Sequence, residues 1–231
     1  MSIEKFPRII ATIVFGLILG GCSNVNRLYL DTIKLAFFND GPSLTLQEVQ
    51  ENKADLLKVV HGERWPAYLA LAYVEDDQYK WISSDQVVLA MHKDKIIRTS
   101  GLNNNLQYTD NIAGNPLALG KPFAPTSWLY HIDTEDKSYG LPVTSRWKNE
   151  APLQVTFFDH SLTVIPIIET VSVDIDEPYW THKTSWQNVY WMEQDTKLVI
   201  YSEQLATPYS DPMKMTFVTR IGRIIASKEA N

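Results

Sequence analysis

From residue 67 to residue 219 the chain is a succession of short apolar and aromatic runs, each closed by a turn signal. Hardly any helical period separates them. Connections this short can join antiparallel strands through hairpins, but they cannot hold the crossover helices that parallel strands need. Residues 67–74, 79–83, 87–92 and 95–99 read as a meander, turned at Glu75-Asp76-Asp77 and Lys93-Asp94. Residues 127–132, 143–147, 153–158, 162–173, 186–192, 198–203 and 213–219 read as further strands, and 221–226 as a short final segment. The Asn-rich stretch 103–115 reads as a loop. Pro166 lacks an N–H for the ladder, so a bend is expected within 162–173. The class expected is mainly β: a single antiparallel β-barrel-like or strongly curved sandwich domain with one short N-terminal helix.

That helix is announced by Thr45 and Glu48, a T-x-x-E capping box after Gly41-Pro42. Beyond it, Leu56, Leu57 and Val60 extend a helical period, while Ala54, Leu56, Lys58 and Val60 alternate. The β-branched pair Val59-Val60 and the turn-like Gly62-Glu63 favour a helix ending near Asn52 and a strand over 54–61.

The only cysteine, Cys22, follows an uncharged, mostly apolar run over residues 9–19, itself preceded by Lys5 and Arg8. The run falls short of the ~20 residues that span a bilayer and fits a signal-peptide core. Leu19-Gly20-Gly21-Cys22 resembles the lipobox of bacterial lipoproteins. In that class the thiol receives diacylglycerol, the chain is cut before the cysteine, and the new amine is acylated, commonly with palmitate. Residues 1–21 are then a signal peptide, 22–31 a lipidated tether and 32–231 the β domain. Each buried CH₂ contributes about 0.8 kcal/mol, so two or more acyl chains hold the protein on the membrane. Ser23, in place of Asp, resembles the signal for outer-membrane sorting, with the domain facing the periplasm.

Removing Glu4, Lys5 and Arg8 from 21 basic and 27 acidic residues leaves 19 and 26, a net charge of −7. That balance lacks the basic footprint of a nucleic-acid binder. With its one thiol lipidated, the domain has no disulfide to form and depends on packing alone.

No nucleophile elbow, H-E-x-x-H or glycine-rich phosphate loop is present, and nothing calls for a cofactor. His61, His92, His131, His160 and His182 lack metal-ligand spacing, and the acidic group Asp174, Asp176, Glu177 reads as a solvated strand end. The seven tryptophans carry more information. Sugars stack their C–H faces on such rings while polar neighbours take the hydroxyls. Trp128, Trp147 beside Arg146, and Tyr179-Trp180 are the candidate contacts for glycan or a partner; Trp81 and Trp191 read as core.

Several segments carry a family resemblance. Trp81-Ile82-Ser83-Ser84-Asp85 matches a W-x-S-x-D pattern, and Arg98-Thr99-Ser100-Gly101-Leu102 follows after a hairpin. Asn188-Val189-Tyr190-Trp191 and Ser202-Glu203-Gln204 match N-x-[YF]-W and S-x-Q. Together with the lipobox these resemble the YjbF/GfcB lipoproteins of group 4 capsule and exopolysaccharide loci, of YmcC-like fold. Asp94-Lys95 stands where that family often has Gly-Arg, so a role for that arginine does not carry over. The resemblance implies a barrel-like fold and a part in polysaccharide production or export, and implies no enzymatic activity.

The expected function is that of a non-enzymatic, outer-membrane accessory lipoprotein for exopolysaccharide or capsule, in contact with secretion proteins, glycan or both. The alternative is a periplasmic carrier holding a lipid or acyl chain in a half-barrel. A glycan-modifying enzyme is the third reading.

Overall fold

Thr45 caps the first helix, α1 (Leu46–Glu51), as the sequence predicts. Its hydroxyl accepts the Glu48 N–H at 3.3 Å, and the Glu48 carboxylate accepts the Thr45 N–H at 2.8 Å. The helix stops at Asn52, whose side chain accepts the Ala54 N–H at 3.0 Å and turns the chain into extended backbone. In this computed structural model the described residues are 44–119, 126–135, 138–175 and 184–230. Cys22, the signal segment, the tether, Tyr179 and Trp180 lie outside them.

Among the described residues thirteen strands follow in one antiparallel sheet. They are β1 (Leu56–His61), β2 (Ala67–Glu75), β3 (Gln78–Ile82), β4 (Val88–His92), β5 (Lys95–Ser100), β6 (Leu106–Thr109), β7 (Thr126–Thr134), β8 (Leu141–Asn149), β9 (Leu153–Phe157), β10 (His160–Val173), β11 (Ser185–Glu193), β12 (Val199–Gln204) and β13 (Met213–Thr216). A helix, α2 (Val218–Glu229), closes the described chain. The strand order is β5-β4-β3-β2-β1-β13-β12-β11-β10-β8-β7-β6, with β9 paired to β10 off this path.

Three hairpins turn on two residues of positive φ: Asp76-Asp77, Lys93-Asp94 and Phe158-Asp159. Such turns match the twist of the flanking strands, and aspartate tolerates the left-handed region. The sheet curls until its edge strands β5 and β6 meet, giving a nearly closed twelve-strand barrel. At the seam, side chains stand in for ladder bonds. The Thr109 hydroxyl donates to Ile97 O at 2.8 Å, and Leu106 N–H donates to the Thr99 hydroxyl at 2.9 Å. Closure through these groups satisfies edges that would otherwise recruit other strands.

Three features depart from the sequence expectation. First, β6 lies inside the stretch read as a loop; its inward residues, Leu106 and Thr109, are buried by the seam. Second, α2 replaces the end of a strand and the final segment. Its Ile and Val content reads as β, but Val218, Ile221, Gly222 and Ile225 recur at helical spacing on its buried face. Gly222 allows α1 to lie close, because a Cβ there would sit 2.9 Å from Val49 Cγ1. Third, Pro166 does not interrupt β10. The strand pairs β9 through Val164 and β8 from Ile167, so Pro166 falls where the neighbour changes and no ladder bond is lost.

β10 also shows why its run is so continuously apolar. Leu162 and Val164 face outward beneath Ile221, Ile224 and Ile225 of α2, whereas Ile167, Val171 and Val173 face the barrel interior. In β12 the register passes from Trp191↔Tyr201 to Met192↔Val199. That bulge buries Val199 inside the barrel and Ile200 under α2.

Candidate functional site

The barrel interior is not uniformly apolar. Glu169 on β10 shares the inward face with Ile167 and Val171, and its side chain is fully buried. An isolated carboxylate there would cost several kcal/mol. Its Oε2 instead accepts Lys95 Nζ at 2.7 Å, Asn188 Nδ2 at 2.7 Å and the Tyr190 hydroxyl at 2.9 Å. Oε1 is buried without a hydrogen-bond partner among the described residues. Burial first, then the Glu169 charge, holds the Tyr130 and Tyr190 phenols well above their ordinary pKa.

Neighbouring side chains extend the network. The Asn188 carbonyl accepts Leu205 N–H at 2.8 Å. Gln204 accepts Ile96 N–H at 3.0 Å and donates to Asp94 O at 2.8 Å and the Ser202 hydroxyl at 3.1 Å. Asn188, Tyr190, Ser202 and Gln204 are the residues that carry the C-terminal resemblance. Lys95, at the position of the missing arginine, keeps a cation in place against Glu169. Asp94 beside it receives both Arg220 guanidinium nitrogens at 3.0 Å, tying the β4–β5 turn to α2. The motif residues therefore lock strands together across the barrel.

The same holds for the other motifs. Trp81 packs edge-on against Phe217 at 5.9 Å. Gly101 has φ +81°, and a Cβ there would press on Gln86 O and Val87 Cα at 3.2 Å.

Of the tryptophans expected to face a ligand, the structure puts Trp128 and Trp147 in the core, at 3% and 2% exposure. Trp128 stacks on Tyr130 at 3.9 Å and donates its indole N–H to Asn111 O at 3.0 Å. Trp147 stacks on Tyr190 at 5.3 Å, directly beside Glu169 in the β8–β10 register. Both lie on the inward face of their strands, so burial follows from parity. Arg146, one residue along, points outward into a shallow groove of about 360 Å³ lined by Thr144, Thr170 and Ser172. Arg146 and the two tryptophans thus sit on opposite faces of the sheet.

A different tryptophan is presented to solvent. Where β1 ends and β2, β4 and β13 begin, a cleft of about 160 Å³ opens into one end of the barrel. Segment 205–212 straps the rest of that end, with the Tyr209 hydroxyl 2.8 Å from Ser138 Oγ and Asn104 Nδ2 3.4 Å from Tyr209 O. Val59, Leu69, Leu89 and Met213 form the apolar floor of the cleft. His61, Arg64, Ser83 and Asp85 stand at its sides, and Trp65 stands on its rim with 87% of its surface exposed.

Burial, then the nearby Arg64 charge, lowers the His61 pKa, which keeps the imidazole neutral at neutral pH. His61 Nδ1 is buried with no hydrogen-bond partner, and Arg64 makes no ion pair among the described residues. Asp85 accepts the Ser83 hydroxyl through Oδ1. An apolar floor with a few convergent polar groups is the usual make-up of a ligand cleft. The signal for Trp65 lay in its setting: a tryptophan inside the hairpin Gly62-Glu63-Arg64-Trp65-Pro66 has no strand face on which to be buried. Among the described residues, no three His, Asp or Glu side chains converge as metal ligands.

Comparison with known proteins agrees with this architecture. Residues 30–218 match the family model described as group 4 capsule polysaccharide lipoprotein GfcB, YjbF. The chain is 26% identical to the uncharacterized lipoprotein GfcB of Escherichia coli K12, over 89% of this chain and 95% of that one. It is 24% identical to the uncharacterized lipoprotein YjbF of the same organism, over 90% and 96%. The crystal structure of the hypothetical lipoprotein YmcC from E. coli K12 superposes with a TM-score of 0.69 at 23% identity, covering 82% of this chain and 94% of that one. None of these descriptions names an enzymatic activity.

Proposed function

We propose that this chain, which belongs to the YjbF family of group 4 capsule polysaccharide lipoproteins, is a non-enzymatic accessory factor in the production or export of capsule or exopolysaccharide. Lipid on Cys22 anchors it, and Ser23 directs it to the outer membrane. The short tether holds the barrel close to the bilayer on the periplasmic side. There it contacts polysaccharide secretion proteins, glycan, or both.

The observation that carries this reading is the filled barrel. Trp147, Tyr190, Phe217, Met91 and Met215 are each at most 2% exposed and belong to one core cluster, with Trp147 and Tyr190 beside the buried Lys95–Glu169 pair. A carrier of an acyl chain needs a continuous apolar volume where these side chains stand. The carboxylate nearest the centre is engaged by three donors, which does not favour acid–base chemistry there. Both points favour a protein that works through its outer surface and its mouth.

Cys22→Ala in the producing strain tests the anchored-accessory reading. The variant is expected to leave the membrane fraction, and surface polysaccharide is expected to fall. Unchanged membrane attachment together with unchanged polysaccharide output overturns it.

A further inference from the structure

Trp65 contributes almost nothing to the core, yet the chain holds it firmly in place. Gly62, at φ +58°, starts the β1–β2 hairpin and donates its N–H to Pro212 O at 2.9 Å. Arg64 N–H returns to His61 O at 3.1 Å. Pro66 restricts Trp65 to extended backbone. The ring is thus presented by a braced hairpin, and little conformational entropy is lost when something stacks on it.

We propose that this cleft binds one pyranose ring of a polysaccharide chain, with Trp65 stacking on its C–H face and Arg64, His61 and Asp85 taking its hydroxyls. Four observations carry the assignment.

The ring face of Trp65 is open, and stacking on aromatic faces is how the apolar side of a sugar is held. The polar groups supply both halves of a hydroxyl's hydrogen bonding. The Arg64 guanidinium donates, Asp85 Oδ2 accepts, and the His61 ring has its Nε2 left for a hydroxyl, since Nδ1 is buried. Charges of both signs flank the cleft, with Asp211 at 3.2 Å from a Cβ placed on Gly62, so neither an anion nor a cation is selected. Finally, the volume of about 160 Å³ is well below the ~300 Å³ of pockets that enclose whole small molecules. That suits a single ring whose chain continues into solvent, and the floor of Leu89 and Met213 stops an acyl chain from threading further.

The proposal rests on the accessory-factor reading for the source of the saccharide, and on the cleft alone for its chemistry. The test uses the full-length lipoprotein in detergent micelles. The probe is a set of oligosaccharides released from the producing strain's surface polysaccharide by mild acid hydrolysis, titrated calorimetrically. Trp65→Ala is expected to weaken binding about tenfold, the size of one lost aromatic stacking contact. Trp65→Phe is expected to restore part of it. Tyr73→Ala, an exposed aromatic on β2 outside the cleft, is expected to leave binding unchanged.

Wild-type affinity in Trp65→Ala, or no oligosaccharide binding by the wild type, overturns the cleft proposal. Loss of polysaccharide output in a Trp65→Ala strain whose protein still binds oligosaccharide normally also overturns it, in favour of docking by a secretion protein. A deletion strain separates the two readings. Unchanged output on deletion removes the accessory function itself. Output that depends on the chain, with Trp65→Ala binding normally, removes only the cleft.

Discussion

The barrel interior and the barrel mouth use similar side chains in opposite ways. Inside, Lys95, Asn188 and Tyr190 are buried and bonded to the buried Glu169, and buried Gln204 is bonded to Ile96 N–H, Asp94 O and the Ser202 hydroxyl. At the mouth, Arg64 makes no ion pair among the described residues, and Trp65 is 87% exposed. Groups that are desolvated and mutually bonded specify how strands pack. Groups left with bonding capacity beside an apolar floor are available to something else. The family motifs mark the first set; of the polar groups at the cleft they include only Ser83 and Asp85.

The largest expected effect breaks the interior. Lys95→Met strands the Glu169 carboxylate in a dry core and should cost about 3–5 kcal/mol in urea unfolding. Lys95→Met combined with Glu169→Leu should recover most of that loss, because well-packed apolar pairs replace buried ion pairs at little cost. If the double variant is as unstable as the single one, the network does more than pair charges.

Glu193 extends the comparison to a second buried carboxylate, at the end of β11. Burial raises its pKa, but bonds from Thr196 N–H, Lys228, the Thr196 hydroxyl and Asp195 N–H outweigh that and hold it at about 2. Its folded pKa lies below its ordinary 4.5, so the stabilisation is fully present above pH 4.5 and is lost as pH falls through about 2. Glu193→Gln should lower stability by about 3 kcal/mol at neutral pH and flatten the acid limb between those values. An acid limb unchanged by the substitution would mean that other carboxylates set it.

Arg220→Ala removes the paired bonds to Asp94, with both side chains about one-sixth exposed. The expected loss is ~2 kcal/mol, between that of a surface pair and a buried one, read as a lower denaturation midpoint. The smallest effect sharpens the other side of the comparison. Trp65→Ala should change stability by no more than about 0.5 kcal/mol. A larger loss would move Trp65 into the set of residues that hold the fold.

Much of the scaffold was legible along the chain because hairpin geometry is local. Thr45 and Glu48 lie three apart, so the capping box and α1 followed from their chemistry alone. Glu75-Asp76-Asp77 and Lys93-Asp94 announced turns for the same reason. β6 was illegible because it has few apolar residues of its own; its burial comes from β7 on one side and the seam on the other. α2 was illegible because its Ile-rich face, packed on Leu162, Val164 and Ile200, has the composition of a strand.

The site was less legible than the scaffold. Trp128 and Trp147 have the residue type a sugar platform needs, but strand parity turns both inward. Trp65 has the same type and lies on a hairpin, outside that parity. Residue type names a chemistry, while exposure is decided by elements far away in sequence.

By itself, the sequence determined the antiparallel β class, most turns, the short capped helix and the resemblance to a lipoprotein family, since each depends on residues a few positions apart. Only the tertiary structure decided that β5 meets β6, that Lys95 finds Glu169 across 74 positions, and which of the described tryptophans is left in water. Those outcomes depend on how a curved sheet closes on itself, and closure is a property of all its strands together.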